Sequence, residues 1–335
     1  MAAGFIFWHH KRKREAHKTM RLLISLIILL GAQTLGSSLA PWAEGVEVGL
    51  LDPVINEASG IEVSTRYSNR LYHINDSGDT GRFFVTNFTG ADARRVRVLG
   101  FNPRDVEDLS LGPCGQPDDC LFLADIGDND RERPWIEIAV VRELRDFPAE
   151  VRPLARLRLR YPDRAYDAES LAVHPDGTIY LLTKQGQGNK GRPGTPRLHR
   201  IPTTWWKSQP APDTLEFVTE IDLEKVASNT PASARLPTAM DISPDGQRVL
   251  ILNYINAIEL AFDFSQPVPA ADGWHEGRDY QRISLLNLNQ QEAIAYLPDG
   301  NALVYDTESR GSAAARGRLV QVKRLTQKEP GVPTR

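Results

Sequence analysis

Four glutamates, Glu57, Glu107, Glu169 and Glu292, recur along the chain, each just ahead of a short apolar run, and Thr238 holds the matching place in a fifth segment. Carboxylates gathered at one place repel, so either some take up protons at raised pKa or a cation compensates them. Hard oxygen ligands of this kind suit Ca²⁺ best, with Mg²⁺ or Mn²⁺ behind it. Two of the glutamates sit in a repeated D-x-E, Asp105-Val106-Glu107 and Asp167-Ala168-Glu169. Further acids cluster in HINDSGDTG (Asp76, Asp79) and ADIGDND (Asp125, Asp128, Asp130). Neither stretch meets the D-x-[DN]-x-[DN]-G-x₅-E calcium-loop template, and both equally suit Asx turns. The expected metal ligands are Glu57, Glu107, Glu169, Glu292, Asp76 and Asp125. Lys184, Tyr254, Glu308 and Thr238 are expected beside them, with Lys184 placed either to hold an anionic group or to pair with Glu169 or Glu292. The alternative for the glutamates is a bond to the backbone of a neighbouring segment, or simple solvation.

What must position these residues is a repeated hairpin. Its clearest copy is YDAESLAVHPDGTIYLLTKQ, from Tyr166 to Gln185: an acid, an apolar strand, a Pro-Asp-Gly turn and a second apolar strand. Pro presets φ, Asp bonds its own backbone and Gly takes positive φ, so the turn has a mechanism. TAMDISPDGQRVLILNY from Thr238 and EAIAYLPDGNALVYDTE from Glu292 align with it. EASGIEV at Glu57 and EDLSLG at Glu107 repeat its start without the turn. The five starts lie about 50 to 70 residues apart, a spacing that signals an array or a propeller. Four apolar runs per repeat match a propeller blade. The last repeat is one strand short, and Gly45–Leu51, GVEVGLL, lies ahead of the first. The expectation is an all-β, single five-bladed β-propeller of four-stranded blades spanning residues 44–326, with that N-terminal strand completing the last blade and residues 327–335 as a tail. Six blades would need strands from 144–153 or 265–280, which read as connections. In such a ring the start of each innermost strand and the end of the second share one rim, because the two are antiparallel.

Residues 1–43 carry an export pattern: Lys11, Arg12, Lys13, Arg14, Lys18 and Arg21 precede the apolar run Leu22–Leu30, and small residues follow. That run is short for a membrane span, which needs about 20 residues; an uncleaved anchor is the alternative and the only membrane contact expected. Met20 is the better start. Removing 1–43 leaves 34 basic against 42 acidic residues, shifting net charge from −3 to −8. An acidic body excludes a nucleic-acid footprint, which needs a basic face. The 335 residues, 41% hydrophobic and 25% charged, have an ordinary globular composition. The two cysteines, Cys114 and Cys120 in CGQPDDC, most simply form a disulfide in an exported chain, stabilising it by about 2 kcal/mol. The expected location is periplasmic or secreted.

The loop 185–196, QGQGNKGRPGTP, contains no phosphate-cradling G-x-x-x-x-G-K-[ST]. Trp205-Trp206 reads as half-buried packing rather than a ligand platform. The seven His include no Ser-His-Asp pattern, and no G-x-S-x-G elbow is present. The succession NDSGD, DVEDLS, ADIGDN, YDAESLAVHPDG, DISPDG and QQEAIAYLPDG, across roughly residues 55 to 310, resembles a widespread group of exported bacterial propeller proteins, largely uncharacterised. More distantly the chain is similar to the β-propeller phytases. That resemblance implies a calcium-lined acidic mouth and, in those enzymes, cleavage of phosphate esters with several Lys and Arg around the substrate; here Lys184 alone matches. The expected function is binding of a small molecule or protein partner through an acidic, calcium-organised mouth. The alternative is a metal-dependent, phytase-like phosphate-ester hydrolase, with Glu169 or Glu292 as general base and Lys184 on the substrate anion. Two mouth glutamates would also serve a glycosidase.

Overall fold

The structure, a computed structural model, describes residues 39–76, 78, 80–184, 194–202, 204–207, 213–226, 235–262, 264, 274–288, 290–309 and 316–325. Most of the export segment, Asp79, the loop 185–193 and the tail lie outside the described residues.

Each hairpin of the sequence becomes the inner half of a blade. Blade one is β2 (Ala58–Val63), β3 (Leu71–Asn75), β4 (Arg82–Thr86) and β5 (Arg94–Val98). Blade two is β6 (Val106–Gly112), β7 (Cys120–Asp125), β8 (Ile136–Arg142) and β10 (Ala155–Leu159). Blade three is β11 (Ala168–Val173), β12 (Ile179–Thr183), β13 (Arg197–Ile201) and β14 (Glu216–Glu220). Blade four is β15 (Pro237–Ile242), β16 (Arg248–Asn253), β17 (Ala257–Ala261) and β18 (Tyr280–Ile283). Blade five takes β19 (Gln291–Tyr296), β20 (Ala302–Thr307) and β21 (Arg318–Lys323) from the end of the chain. Its fourth strand is β1 (Val46–Leu50), antiparallel to β21, so the expected closure by the N-terminal strand holds. The 144–153 segment, expected to be a plain connection, supplies β9 (Glu150–Val151), which runs parallel along the outer edge of β5 without adding a blade.

Every residue of the five innermost strands is buried, because both faces of each strand pack between neighbouring blades. The outer strands face water on one side and alternate, as in β5 (RRVRV) and β10 (ARLRL). Five apolar clusters fill the five blade interfaces. The Pro-Asp-Gly turns form as the sequence indicates, with Gly177, Gly246 and Gly300 at φ 89, 69 and 65°. In blade two the turn is replaced by the Cys114–Cys120 disulfide loop, over which Trp206 packs. Trp205 is buried against Phe122, so this aromatic pair is packing.

The ring is locked by the fully buried Glu259. It accepts hydrogen bonds from Trp42 Nε1 (3.3 Å), Tyr296 OH (2.8 Å) and both Arg324 amino groups, one of them at 2.9 Å, tying the first and last described segments to blades four and five. Between blades five and one, buried His73 bridges Asp306 (3.1 Å) and Thr86 (3.0 Å). This trio has the composition of a nucleophile relay that the sequence does not show, but His73 and Asp306 are 0% exposed, so it serves to join blades. Among the described residues no helix is long and apolar enough to cross a membrane.

Candidate functional site: the acidic mouth

The mouth is set by a bulge repeated in all five inner strands. Pairing with the second strand slips between Ala58 and Gly60, Val106 and Asp108, Ala168 and Ser170, Pro237 and Ala239, and Gln291 and Ala293. A bulge leaves one residue outside the ladder and re-aims its side chain. The bulged residues are Ser59, Glu107, Glu169, Thr238 and Glu292. The ring therefore holds three glutamates, and the expectation that Glu57 joins them is off by two residues.

Glu57 is exposed and matches the first acid of the D-x-E in blades two and three. Its carbonyl accepts Asp76 N (2.8 Å), as the carbonyls of Asp105, Asp167 and Gln290 accept Gly127, Lys184 and Glu308 N (3.1, 3.0 and 3.0 Å). Ser59 and Thr238 donate their hydroxyls to the next blade's backbone, at Glu107 O (2.5 Å) and Gln291 O (3.1 Å). The backbone-bonding role considered for the glutamates thus falls to the two hydroxyl residues.

The carboxylates of Asp76, Asp105 and Glu107 come together, with one oxygen from each lying within 4.8 Å of the others. Gly127 makes room for them. A Cβ there would lie 2.3 Å from Glu107 Oε1 and 2.5 Å from Asp105 Oδ2, so any side chain at this position would push these carboxylates aside. Asp125 is drawn away from this group. It bonds Arg133 Nη2 (2.7 Å) and accepts Arg104 N (3.1 Å) and Asp105 N (2.9 Å), which braces the loop entering β6. Asp167 similarly accepts Asp128 N (2.9 Å). On the other side of the mouth Lys184 pairs with Glu169, and its Nζ lies 5.7 Å from the centre of the Tyr254 ring. Glu308 shares its carboxylate with Gln290 Nε2 (3.1 Å).

Burial and mutual repulsion govern the charge. Burial, then Asp76, pushes the Asp105 carboxyl up to about 6. Glu107 is raised by burial and by Glu169, Asp76 and Asp105. Burial lifts Glu169 to about 7 even though the Lys184 ammonium offsets part of the cost. Glu292, raised by burial and by Glu169 and Glu308, reaches about 9 and holds its proton at neutral pH. It has the protonation state of a general acid, not of the base expected from sequence.

Deeper in the ring lie three carboxylates that the sequence reading did not single out: Glu62, Asp108 and Asp241. Asp108 takes Leu109 N and, from the next blade, Leu171 N, both at 2.8 Å. Asp241 takes Ile242 N (2.7 Å) and Tyr296 N (2.6 Å), and Glu62 takes Val63 N (2.7 Å) and Leu111 N (3.1 Å) in the same way. They stitch inner strands across blade boundaries. The signal for them was an acid inside an otherwise apolar strand, as in EDLSLG. At the turn end of the inner strands, Pro113, Pro175, Pro244 and Pro298 surround a cavity of about 200 Å³.

No protein-family description and no curated protein matches the chain. Solved structures are similar at low identity. The nidogen/laminin complex is 13% identical at a TM-score of 0.43, over 76% of this chain and 73% of that one. U3-55K is 10% identical at 0.37 (80% and 68%), and the RRP9 WD40 repeats are 9% identical at 0.37 (80% and 67%).

Proposed function

We propose that this chain is an exported propeller that binds a ligand or partner through its acidic mouth, organised by a divalent cation, with Ca²⁺ preferred. The observation that carries this is the convergence of Asp76, Asp105 and Glu107 oxygens within 4.8 Å at a glycine that leaves them room. Three carboxylates so close favour a hard cation, with the ligand or partner completing its coordination. Export is supported by the basic, apolar and small-residue order of residues 1–43, by the Cys114–Cys120 bond, and by the resemblance to exported bacterial propellers.

Binding is favoured over hydrolysis by the pairing of Lys184 with Glu169, which would have to break before either could receive a substrate anion or abstract a proton. A ligand of the native state raises its melting temperature by mass action. Added Ca²⁺ should therefore raise Tm and chelation should reverse it, while generic phosphate esters should show no metal-dependent turnover. Turnover that falls sharply in Lys184→Ala would instead establish the hydrolase.

A further inference from the structure

Beside the acidic mouth lies a feature of opposite sign. Arg133, Trp135, Arg160, Tyr161 and Arg164 line a cavity of about 170 Å³ between the outer strands of blade two and the loop that enters blade three. That is room for one small polyatomic group with a few waters.

Arg160 and Arg164 bring guanidinium groups to this cavity, while Arg133 is already paired with Asp125 (2.7 Å); the one carboxylate in the lining, Asp163, is itself engaged. Asp163 accepts Tyr166 OH (2.8 Å) and lies 3.5 Å from Arg197. Arg160 lies 5.4 Å from the Trp135 ring centre and Arg164 lies 4.8 Å from that of Tyr166, within cation–π range. Arg160 also reaches Asp213 (3.2 Å), but both side chains are more than half exposed, and an ion pair in that setting is weak and exchangeable.

Two further donors have no acceptor. The Arg133 side chain is 10% exposed and its Nε is buried without a partner, and the buried Tyr161 hydroxyl is also without one. A planar guanidinium fork matches carboxylate and phosphate oxygens two at a time.

We propose that this cavity is a binding site for a small oxyanion, a carboxylate or a phosphate group, on the mouth side of blade two. Arg133 joins it to the acidic cluster, because the same guanidinium bonds Asp125 and Gly127 O (2.6 Å), and Gly127 lies against Asp105 and Glu107. The anion site does not require the mouth cation.

The test is the melting temperature of the whole protein, stripped of metal with EDTA and then desalted, titrated with inorganic phosphate and separately with succinate, at ionic strength held constant with NaCl. Stripping the metal keeps the result independent of the cation reading, and desalting removes EDTA, itself a carboxylate ligand. The expected result is a saturable rise with at least one of the two, which also identifies the preferred anion. The double variant Arg160→Gln/Arg164→Gln changes one exposed and one half-buried side chain, so it should melt near wild type without anion. Its half-saturation should be at least tenfold weaker. No rise beyond the NaCl control, or an equal rise in the double variant, would overturn the assignment.

Discussion

Glu292 makes the mouth's electrostatics measurable as stability against pH. Its carboxyl moves from an ordinary 4.5 to about 9 on folding, chiefly through burial. An acid raised in this way holds its proton in the folded chain and releases it in the unfolded one. The unfolded state thus binds fewer protons between these values, and stability falls as pH rises through them. The contribution is complete below 4.5 and lost toward 9. At about 1.4 kcal/mol per pH unit, the interval from pH 5 to pH 8 costs about 4 kcal/mol from this group. At about 2 °C per kcal/mol for a chain of this size, that is a fall of roughly 8 °C in Tm. Glu292→Gln removes the titrating group and keeps the shape, so its Tm, measured in EDTA across the same interval, should fall by several degrees less. Asp105, raised to about 6, adds slope in both proteins and cancels in the comparison, while Glu169, raised to about 7, is linked electrostatically to Glu292. Superimposable profiles would refute the claim that Glu292 folds as a protonated acid.

Gly127→Ala should weaken calcium binding and destabilise the fold by about 1 to 3 kcal/mol, because its Cβ would displace Glu107 and Asp105; calcium titration and urea unfolding check both effects. Glu259→Ala leaves buried Arg324 and Tyr296 without their acceptor and should cost about 3 to 5 kcal/mol in urea, with the blade-five closure loosening first in hydrogen exchange. Cys114→Ser with Cys120→Ser should lower stability by about 2 kcal/mol, and thiol titration of the unfolded, unreduced wild type should find no free thiol.

The fold was legible because each blade repeats one local instruction: an apolar strand, a turn with its own chemistry and a second apolar strand. The strand that closes the ring could be found by counting, since blade five lacked one and Gly45–Leu51 was spare. The site was legible less evenly. The Pro-Asp-Gly turn, or Pro113 in blade two, fixes the register that sets Glu107, Glu169 and Glu292 at the bulge. Glu57 was misplaced because blade one has no such proline and EASGIEV offers an acid two residues early; the bulge falls at Ser59. Asp125 looked like a ligand by composition, but its role depends on Arg133, eight residues on and across a loop. Asp76 and Glu107 are among the ligands expected from sequence and Asp105 is not, but that these three in particular meet, across two blades, is set by the fold. Glu62, Asp108 and Asp241 read as oddities in apolar strands until the neighbouring blade's N–H groups supplied their partners. The arginine cavity was invisible in sequence because its residues come from β10, the loop before β8 and the loop before β11.

The cation claim rests on Asp76, Asp105 and Glu107 acting as one ligand set. Isothermal titration of the EDTA-treated, desalted protein with CaCl₂ addresses it directly, alongside Asp105→Asn and Glu107→Gln, which remove charge without removing bulk. Wild type should bind one Ca²⁺ per chain, and each variant should bind at least tenfold more weakly while melting no lower than wild type in EDTA, since removing one of several crowded like charges relieves repulsion. No calcium binding by the wild type, or binding that both variants retain unchanged, would contradict the account.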